Sequence, residues 1–233
     1  MTYQEIKMNK ENKMISVQRC ITIVLLVFTI TTSAQQLYLE TGMTSSSFEY
    51  RDSQGSSLDN LQATSHNFMT LGYRNQILTK NLFGSIGASY TGYGAIGSDD
   101  VVGNFMEWNL NYLEFSLSVD YELLTLKKFK FYLKGNSSVG FLIQGTQTLN
   151  NSLFDLKNND DFNKPLFVFR GGAGLSYPVS DKLSFYMQYM YGKSLALEDD
   201  GNNESLKIEI RNVSFGVLIS LSNNSQEKNK NSK

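Results

Sequence analysis

The 233-residue sequence is informative first for what it has little of. It contains one cysteine, Cys20, one histidine, His66, and two prolines. This scarcity excludes a disulfide framework and any metal site built on cysteine or on several histidines. The charges nearly cancel, with 21 Lys and Arg against 22 Asp and Glu and a net charge of −1. Because nucleic-acid-binding domains carry a basic surplus, we expect no nucleic-acid partner.

Long apolar runs are also scarce, and the exception lies near the N-terminus. The apolar run ITIVLLVFTI (21–30) follows several basic residues and precedes the small residues Thr32, Ser33 and Ala34. This order is that of a secretory signal peptide cleaved after Ala34, and the run is shorter than the roughly 20 residues of a membrane-spanning helix. We therefore predict a signal peptide at 1–34, a folded domain at 35–222 and a polar disordered tail at 223–233.

The stretch from Leu113 to Leu123 shows the pattern that dominates the remaining chain. Its odd-numbered positions are apolar or aromatic, and the even-numbered positions between them are polar or charged. Successive side chains of a strand point to opposite faces, so this is a β-strand with one apolar and one polar face. No stretch of useful length repeats apolar residues at helical spacing, and the sequence predicts an all-β protein.

Eight segments carry this pattern, and the connections between them alternate in length. The predicted strands are Leu37 to Ser45, His66 to Ile77, Leu82 to Gly92, Met106 to Leu124, Lys128 to Gln144, Leu166 to Val179, Leu183 to Gly192 and Leu206 to Leu221. Short connections follow the second, fourth and sixth strands, and long polar connections fill the other gaps. Consecutive antiparallel hairpins close at alternate ends, so this alternation predicts an up-and-down meander.

The composition of the two faces indicates which of them meets lipid. The polar face carries many small residues, among them Ser116, Ser118, Gly172 and Ser214, which suit the crowded inside of a narrow barrel. The opposite face is continuous Leu, Val, Ile, Phe and Tyr, with tyrosines near strand ends as in an aromatic girdle. We predict an eight-stranded antiparallel up-and-down transmembrane β-barrel, whose closure pairs the backbone groups that hydrocarbon cannot solvate. The alternative is a secreted soluble barrel or sandwich with the apolar face inside.

Particular strands also carry a resemblance. The segment YLEF (112–115) and its continuation to Tyr121 resemble the YLEIPLLLKY-type strand of the PorT-like outer-membrane β-barrel family of Bacteroidetes-type bacteria, with Ser116 where that motif often has proline. The hairpins LGYRNQILTKNLFGSIGASY (71–90) and GLSYPVSDKLSFYMQYMYG (174–192) are similar to the repeated layout of that family. The resemblance implies an eight-stranded barrel in the bacterial outer membrane and no single settled activity.

The predicted register turns six ionisable residues toward the inside of the barrel. They are Glu40, Arg74, Glu114, Asp120, Lys134 and Arg170. Because an unpaired charge in a low-dielectric interior is costly, we predict interior ion pairs. Arg170 is expected to pair with Glu114 in the outer half, and Arg74 or Lys130 with Asp120 and Glu40 nearer the periplasm. An eight-stranded barrel is just wide enough for its side chains, so these groups are expected to plug the lumen.

The function that this pattern favours is a structural or interaction role, in which the barrel anchors surface loops. The expected partners are outer-membrane lipid, lipopolysaccharide and a protein that contacts the extracellular loops. The alternatives are an accessory of protein secretion or transport, a narrow channel, and a lipid A-modifying enzyme that would use His66 beside Ser65. Acidic long loops could take Ca²⁺ or Mg²⁺, but a solvated surface is favoured. No cofactor and no catalytic residue are expected.

Overall fold

The computed structural model describes residues 35–51, 60–99, 104–157, 164–198 and 205–221. The predicted signal peptide (1–34) and the predicted polar tail (223–233) lie outside these residues. In the described part of the chain, no helix is long and apolar enough to cross a membrane.

The described residues form ten β-strands, eight of them long. The strands are β1 (Gln36–Arg51), β2 (Gln62–Gln76), β3 (Leu82–Asp99), β4 (Asn104–Leu126), β5 (Phe129–Leu149), β6 (Ser152–Asp155), β7 (Leu166–Pro178), β8 (Leu183–Ser194), β9 (Leu197–Glu198) and β10 (Ser205–Ser220).

The eight long strands form one closed antiparallel ring. Each pairs with the next long strand in the chain, and β1 closes the ring against β10 from Gln36↔Ser220 to Arg51↔Ser205. The connections 77–81, 127–128 and 179–182 lie at one end, here called the turn end, and the longer connections lie at the opposite loop end. The predicted eight-stranded up-and-down barrel is confirmed.

Several strands continue further toward the loop end than the sequence predicted. The predictions ended β1 at Ser45, β3 at Gly92 and β5 at Gln144, whereas these strands reach Arg51, Asp99 and Leu149. The short strands β6 and β9 also lie in segments that were expected to be loops. The prediction required apolar residues on one fixed face, but a ladder needs only backbone pairing, so polar sequence beyond the apolar pattern remains in strands.

The apolar face of the barrel points outward, as predicted. Leu71, Leu117 and Phe215 are 60%, 62% and 59% exposed, although each belongs to a regular strand in the middle of the ring. In a soluble barrel or sandwich such side chains would fill the interior. We call this outward belt of apolar side chains the apolar band.

Near the loop end the pattern reverses within the same strands. On β10, Lys207 and Arg211 are exposed while Ile208 and Ile210 are completely buried, whereas from Val213 onward the outward residues are apolar. On β4 the fully buried Leu110 and Tyr112 alternate with amides in the same way, since Asn109 is exposed and Asn111 is half-buried. We call this part of the barrel, where apolar side chains point inward, the collar.

Candidate functional site in the barrel interior

A buried ion pair lies beneath the collar. Strict alternation turns Glu114 of β4 and Arg170 of β7 inward, and Arg170 Nη2 donates to Glu114 Oε2 at 2.9 Å and to Oε1 at 3.1 Å. The side chain of Arg170 is 7% exposed and that of Glu114 is 2% exposed. The structure therefore brings together the pair expected for the outer half.

Neutral groups add further hydrogen bonds to this pair. Ser138 Oγ donates to Glu114 Oε2 at 2.9 Å, and Arg170 Nη1 donates to Asn136 Oδ1 at 3.1 Å. Tyr93 accepts a short hydrogen bond from Arg170 and donates one to Glu114. Its ring packs on Tyr112 with the centroids 5.7 Å apart, so Tyr93 joins the ion pair to the apolar interior of the collar.

A second charged network occupies the turn-end half of the interior. Arg74 Nε of β2 donates to Asp120 Oδ2 of β4 at 2.9 Å, and Arg74 Nη1 donates to Gln36 Oε1 at 2.7 Å. Its guanidinium carbon lies 3.7 Å from the ring centre of Phe83, a cation–π contact. Arg74 and Asp120 are both buried, so each compensates the charge that the other would leave unpaired.

Two lysines extend this network, Lys130 toward the turn end and Lys134 toward the middle of the interior. Lys134 Nζ lies 3.8 Å from Asp120 Oδ1, which is close enough for an ion pair but too long for a hydrogen bond. Lys130 Nζ lies 3.1 Å from Glu122 Oε2, and Arg74 Nη2 is 3.7 Å from Glu122 Oε1. Glu122 was missed among the candidate residues, although the same alternation that selects Asp120 also turns Glu122 inward.

Glu40 differs from the expectation, because its partners are neutral. Tyr186 Oη donates to Glu40 Oε2 at 2.9 Å, and Gln188 Nε2 donates to Glu40 Oε1 at 2.9 Å. Tyr132 Oη in turn donates to Gln188 Oε1 at 3.0 Å. Among the described residues no Lys or Arg nitrogen forms an ion pair with Glu40. Sequence reasoning followed the charges and therefore missed these neutral donors.

Two small polar cavities remain between these networks. One, of about 50 Å³, touches Glu40, Glu114 and Arg170, and the other, of about 20 Å³, touches Arg74 and Asp120. Tyr38 and Lys134 line both cavities and separate them. Cavities of this size hold a few waters at most. Neither of these two cavities therefore has room for more than water beside the paired charges.

The collar closes the interior toward the loop end. Its core consists of buried apolar side chains from several strands and from the segment after β6: Phe48, Tyr93, Ala95, Leu110, Tyr112, Leu156, Leu166, Val168, Ile208 and Ile210. Trp108 packs against this core, with its ring centre 5.9 Å from that of Phe48. The predicted plug of polar and charged side chains does not extend to this end of the lumen, because the reversed alternation sends apolar side chains inward.

His66 and Ser65 lie at the collar, on an irregular part of β2. His66 Nε2 is 2.9 Å from Thr64 Oγ1, while Ser65 is exposed and pairs with Ser45. Burial lowers the pKa of His66, and the nearby Glu107 partly offsets this effect. His66 thus contacts a threonine rather than the serine beside it in the sequence. Among the described residues, no three His, Cys, Asp or Glu side chains form a potential metal site.

No protein-family model matches this chain, and no curated protein matches it at a significant level. Solved structures similar to it include Neisserial surface protein A (NspA), at 14% identity over 79% of this chain and 97% of that one, with a TM-score of 0.42. They also include the outer membrane protein OprG from Pseudomonas aeruginosa, at 14% identity over 80% and 97%, with a TM-score of 0.45. A third is the outer membrane protease OmpT from Escherichia coli, at 9% identity over 82% and 98%, with a TM-score of 0.45.

The closed ring and the outward apolar band together define the class of this protein. It is an antiparallel up-and-down β-barrel of the outer-membrane kind, with eight strands in the ring. The narrower resemblance to the PorT-like family stays a prediction.

Proposed function

We propose that this chain is a closed outer-membrane barrel with a structural and interaction role, which anchors surface loops and neither conducts ions steadily nor catalyses a reaction. The observation that carries the proposal is the combination of a lipid-compatible outer surface with a filled interior. The bacterial outer membrane is the compartment that this architecture fits.

The outer surface supports insertion into a bilayer. Every long strand presents exposed apolar or aromatic side chains between the turn end and the collar, including Met69 on β2, Tyr90 on β3 and Phe131 on β5. The closed ring also leaves no free strand edge within the apolar band, where β1 and β10 pair continuously. Both conditions are required where hydrocarbon replaces water.

The interior supports the absence of a steady pore. An ion that entered from the turn end would meet the paired charges around Arg74 and Asp120, and then the pair Arg170 and Glu114. Beyond them lie the fully buried Leu110, Ile208 and Ile210, whose side chains offer no ligand for an ion. Dehydrating an ion against such apolar side chains is costly, so the collar acts as the seal.

The loop end supports an interaction role. The β5–β6 hairpin extends past the ring and exposes Leu153 and Phe154, which are 70% and 49% exposed. Exposed apolar side chains outside the apolar band are a feature of contact surfaces. We propose a protein partner at this end, and outer-membrane lipid and lipopolysaccharide around the apolar band.

Two measurements test this proposal together. Cell fractionation with electrophoresis of heated and unheated samples is expected to find the chain in the outer membrane with heat-modifiable mobility, the signature of a closed barrel. Planar-bilayer recordings of the purified protein are expected to show no steady conductance. Recovery in a soluble fraction would overturn the membrane assignment, and a large steady conductance would overturn the closed interior.

A further inference from the structure

A groove of about 640 Å³ indents the outer surface of the barrel across β4, β5, β7 and β8. Its floor includes Gly135 of β5 and Gly171 of β7. Leu117 of β4 forms one wall, and Phe169 and Tyr191 form the other. The groove begins in the middle of the apolar band and reaches the collar at Lys193.

Two paired glycines on the floor are not required by close packing within the barrel. Gly135 and Gly171 are register partners, and a Cβ built on either one meets no atom within 4 Å. The adjacent Gly172 points inward, and its Cβ would lie 2.0 Å from the carbonyl oxygen of Tyr189, so close packing explains that glycine. Glycine within a strand costs conformational entropy, so an open outward pair calls for an external occupant.

The charge at the loop-side end of the groove indicates what the occupant carries. Beyond the apolar band, β8, β10 and β1 present four outward bases and two outward acids, a surplus of two positive charges: Lys193, Lys207, Arg211 and Arg51 against Glu49 and Glu209. On β4 the corresponding outward positions carry Asn109, Asn111 and Glu107. The positive charge is therefore concentrated on the side of the barrel where the groove ends.

Lys193 can serve an anionic group without losing its present contacts. Its Nζ lies 2.8 Å from Glu49 Oε1 and 3.9 Å from Glu209 Oε2, and its side chain is 46% exposed. An ammonium has three donors, so one can bind Glu49 while another faces solvent. The hydrogen bond with Glu49 raises the pKa of Lys193, and an ammonium is already charged at neutral pH at the ordinary lysine value.

We propose that this groove binds one anionic lipid of the outer leaflet, with an acyl chain lying over Gly135 and Gly171 and a phosphate at Lys193. The missing side chains on the floor make room for the chain, and Leu117, Phe169 and Tyr191 contact it. This inference rests on the proposed membrane location of the barrel. The proposed groove is one specific lipid site on an outer surface that elsewhere contacts lipid without specificity.

The test counts bound lipid A by native mass spectrometry of the full chain in detergent, with phosphatidylcholine as the zwitterionic comparison. Gly135→Leu and Gly171→Leu fill the groove where the structure has open space, and Ala88→Leu adds a comparable bulk to the apolar band on β3, away from the groove. We expect one retained lipid A for the unchanged chain and for Ala88→Leu. Filling the groove should weaken retention at least about tenfold, equivalent to about 1.4 kcal/mol. Lys193→Gln should weaken the retention of lipid A and leave the retention of phosphatidylcholine unchanged.

Equal retention of lipid A by the unchanged chain and by all four variants would overturn the site, as would equal binding of phosphatidylcholine and lipid A by the unchanged chain. A dimer that the groove-filling variants abolish would show that a second copy occupies the groove instead. Heat-modifiable mobility of each variant separates these outcomes from a failure of the barrel itself, because it reports closure whether or not lipid binds.

Discussion

The collar and the apolar band are built from the same strands, but the polarity of their inward and outward side chains is reversed. In the band, Leu117 and Phe215 face outward while Glu114 and Arg170 are buried within. In the collar, Lys207 and Arg211 face outward while Ile208 and Ile210 are buried. The change on β10 occurs between Arg211 and Val213, without a break in pairing to β1 or β8.

This difference shows that the solvent, and not the strand, decides which face is apolar. A continuous ladder provides backbone pairing in both regions, so side chains are free to follow their surroundings. Where lipid surrounds the barrel, apolar groups lie outside and buried charges must pair. Where water surrounds it, the chain forms an ordinary apolar core. On β10 and β4 the reversal therefore marks the outer boundary of the membrane.

The largest expected loss in the free energy of unfolding comes from breaking the buried ion pair inside the apolar band. Arg170→Met leaves Glu114 buried without its cation, and removal of one partner of a buried pair costs about 3–5 kcal/mol. We expect a loss of this size in the free energy of unfolding, measured by urea titration in lipid vesicles. The double variant Arg170→Met with Glu114→Gln should recover most of it. A loss below about 1 kcal/mol for the single variant would mean that the pair resembles an exposed one.

A similar or slightly smaller loss in the free energy of unfolding is expected when a side chain in the core of the collar is truncated. Ile210→Ala removes a fully buried side chain, and such changes cost about 2–5 kcal/mol in soluble cores. The outward neighbour offers a matched control, since Arg211→Ala should change the free energy of unfolding by less than about 0.5 kcal/mol. If both variants unfold like the unchanged protein, the collar has no packed core.

An introduced lysine should lower the free energy of unfolding by different amounts on the outer face of the apolar band and on that of the collar. Phe215→Lys places an ammonium in the apolar band, where the expected cost is about 2–4 kcal/mol near the bilayer midplane. Ser47→Lys places it on the outer face of the collar, where we expect a change near zero. The urea midpoints in vesicles of one lipid composition compare the two directly. Equal costs would contradict a membrane boundary between these positions.

The smallest effect is a pH dependence at the collar. Because burial lowers the pKa of His66 in the folded state, the unfolded chain binds the proton more readily. The contribution of His66 to the free energy of unfolding is fully present above pH 6.5, the ordinary histidine pKa. It is lost as the pH falls through the lower pKa of the folded state. His66→Gln should therefore reduce the difference between urea midpoints measured at pH 7.5 and at lower pH. An unchanged difference would show that His66 titrates normally.

The sequence predicted the band better than the collar, for a physical reason. Alternation from Leu113 to Leu123 fixes the face of Glu114 and Asp120, and topological height then brings Arg170 near Glu114. Alternation does not select the neutral donors of Glu40, because Tyr186 and Gln188 lie on β8, far from Glu40 in sequence, and carry no charge. Nor did it reveal the collar, since the prediction assumed one orientation for a whole strand. The segment KIEIR (207–211) does carry the reversed pattern.

The reversal can be measured directly by spin-label accessibility along β10. With Cys20 replaced by serine, single cysteines at the outward positions Glu209, Arg211, Val213, Phe215 and Val217 would each carry a nitroxide in vesicles. We predict that Glu209 and Arg211 are accessible to a water-soluble relaxation agent, and that Val213, Phe215 and Val217 are accessible to oxygen dissolved in the bilayer. Uniform accessibility to the water-soluble agent along these five positions would contradict the account.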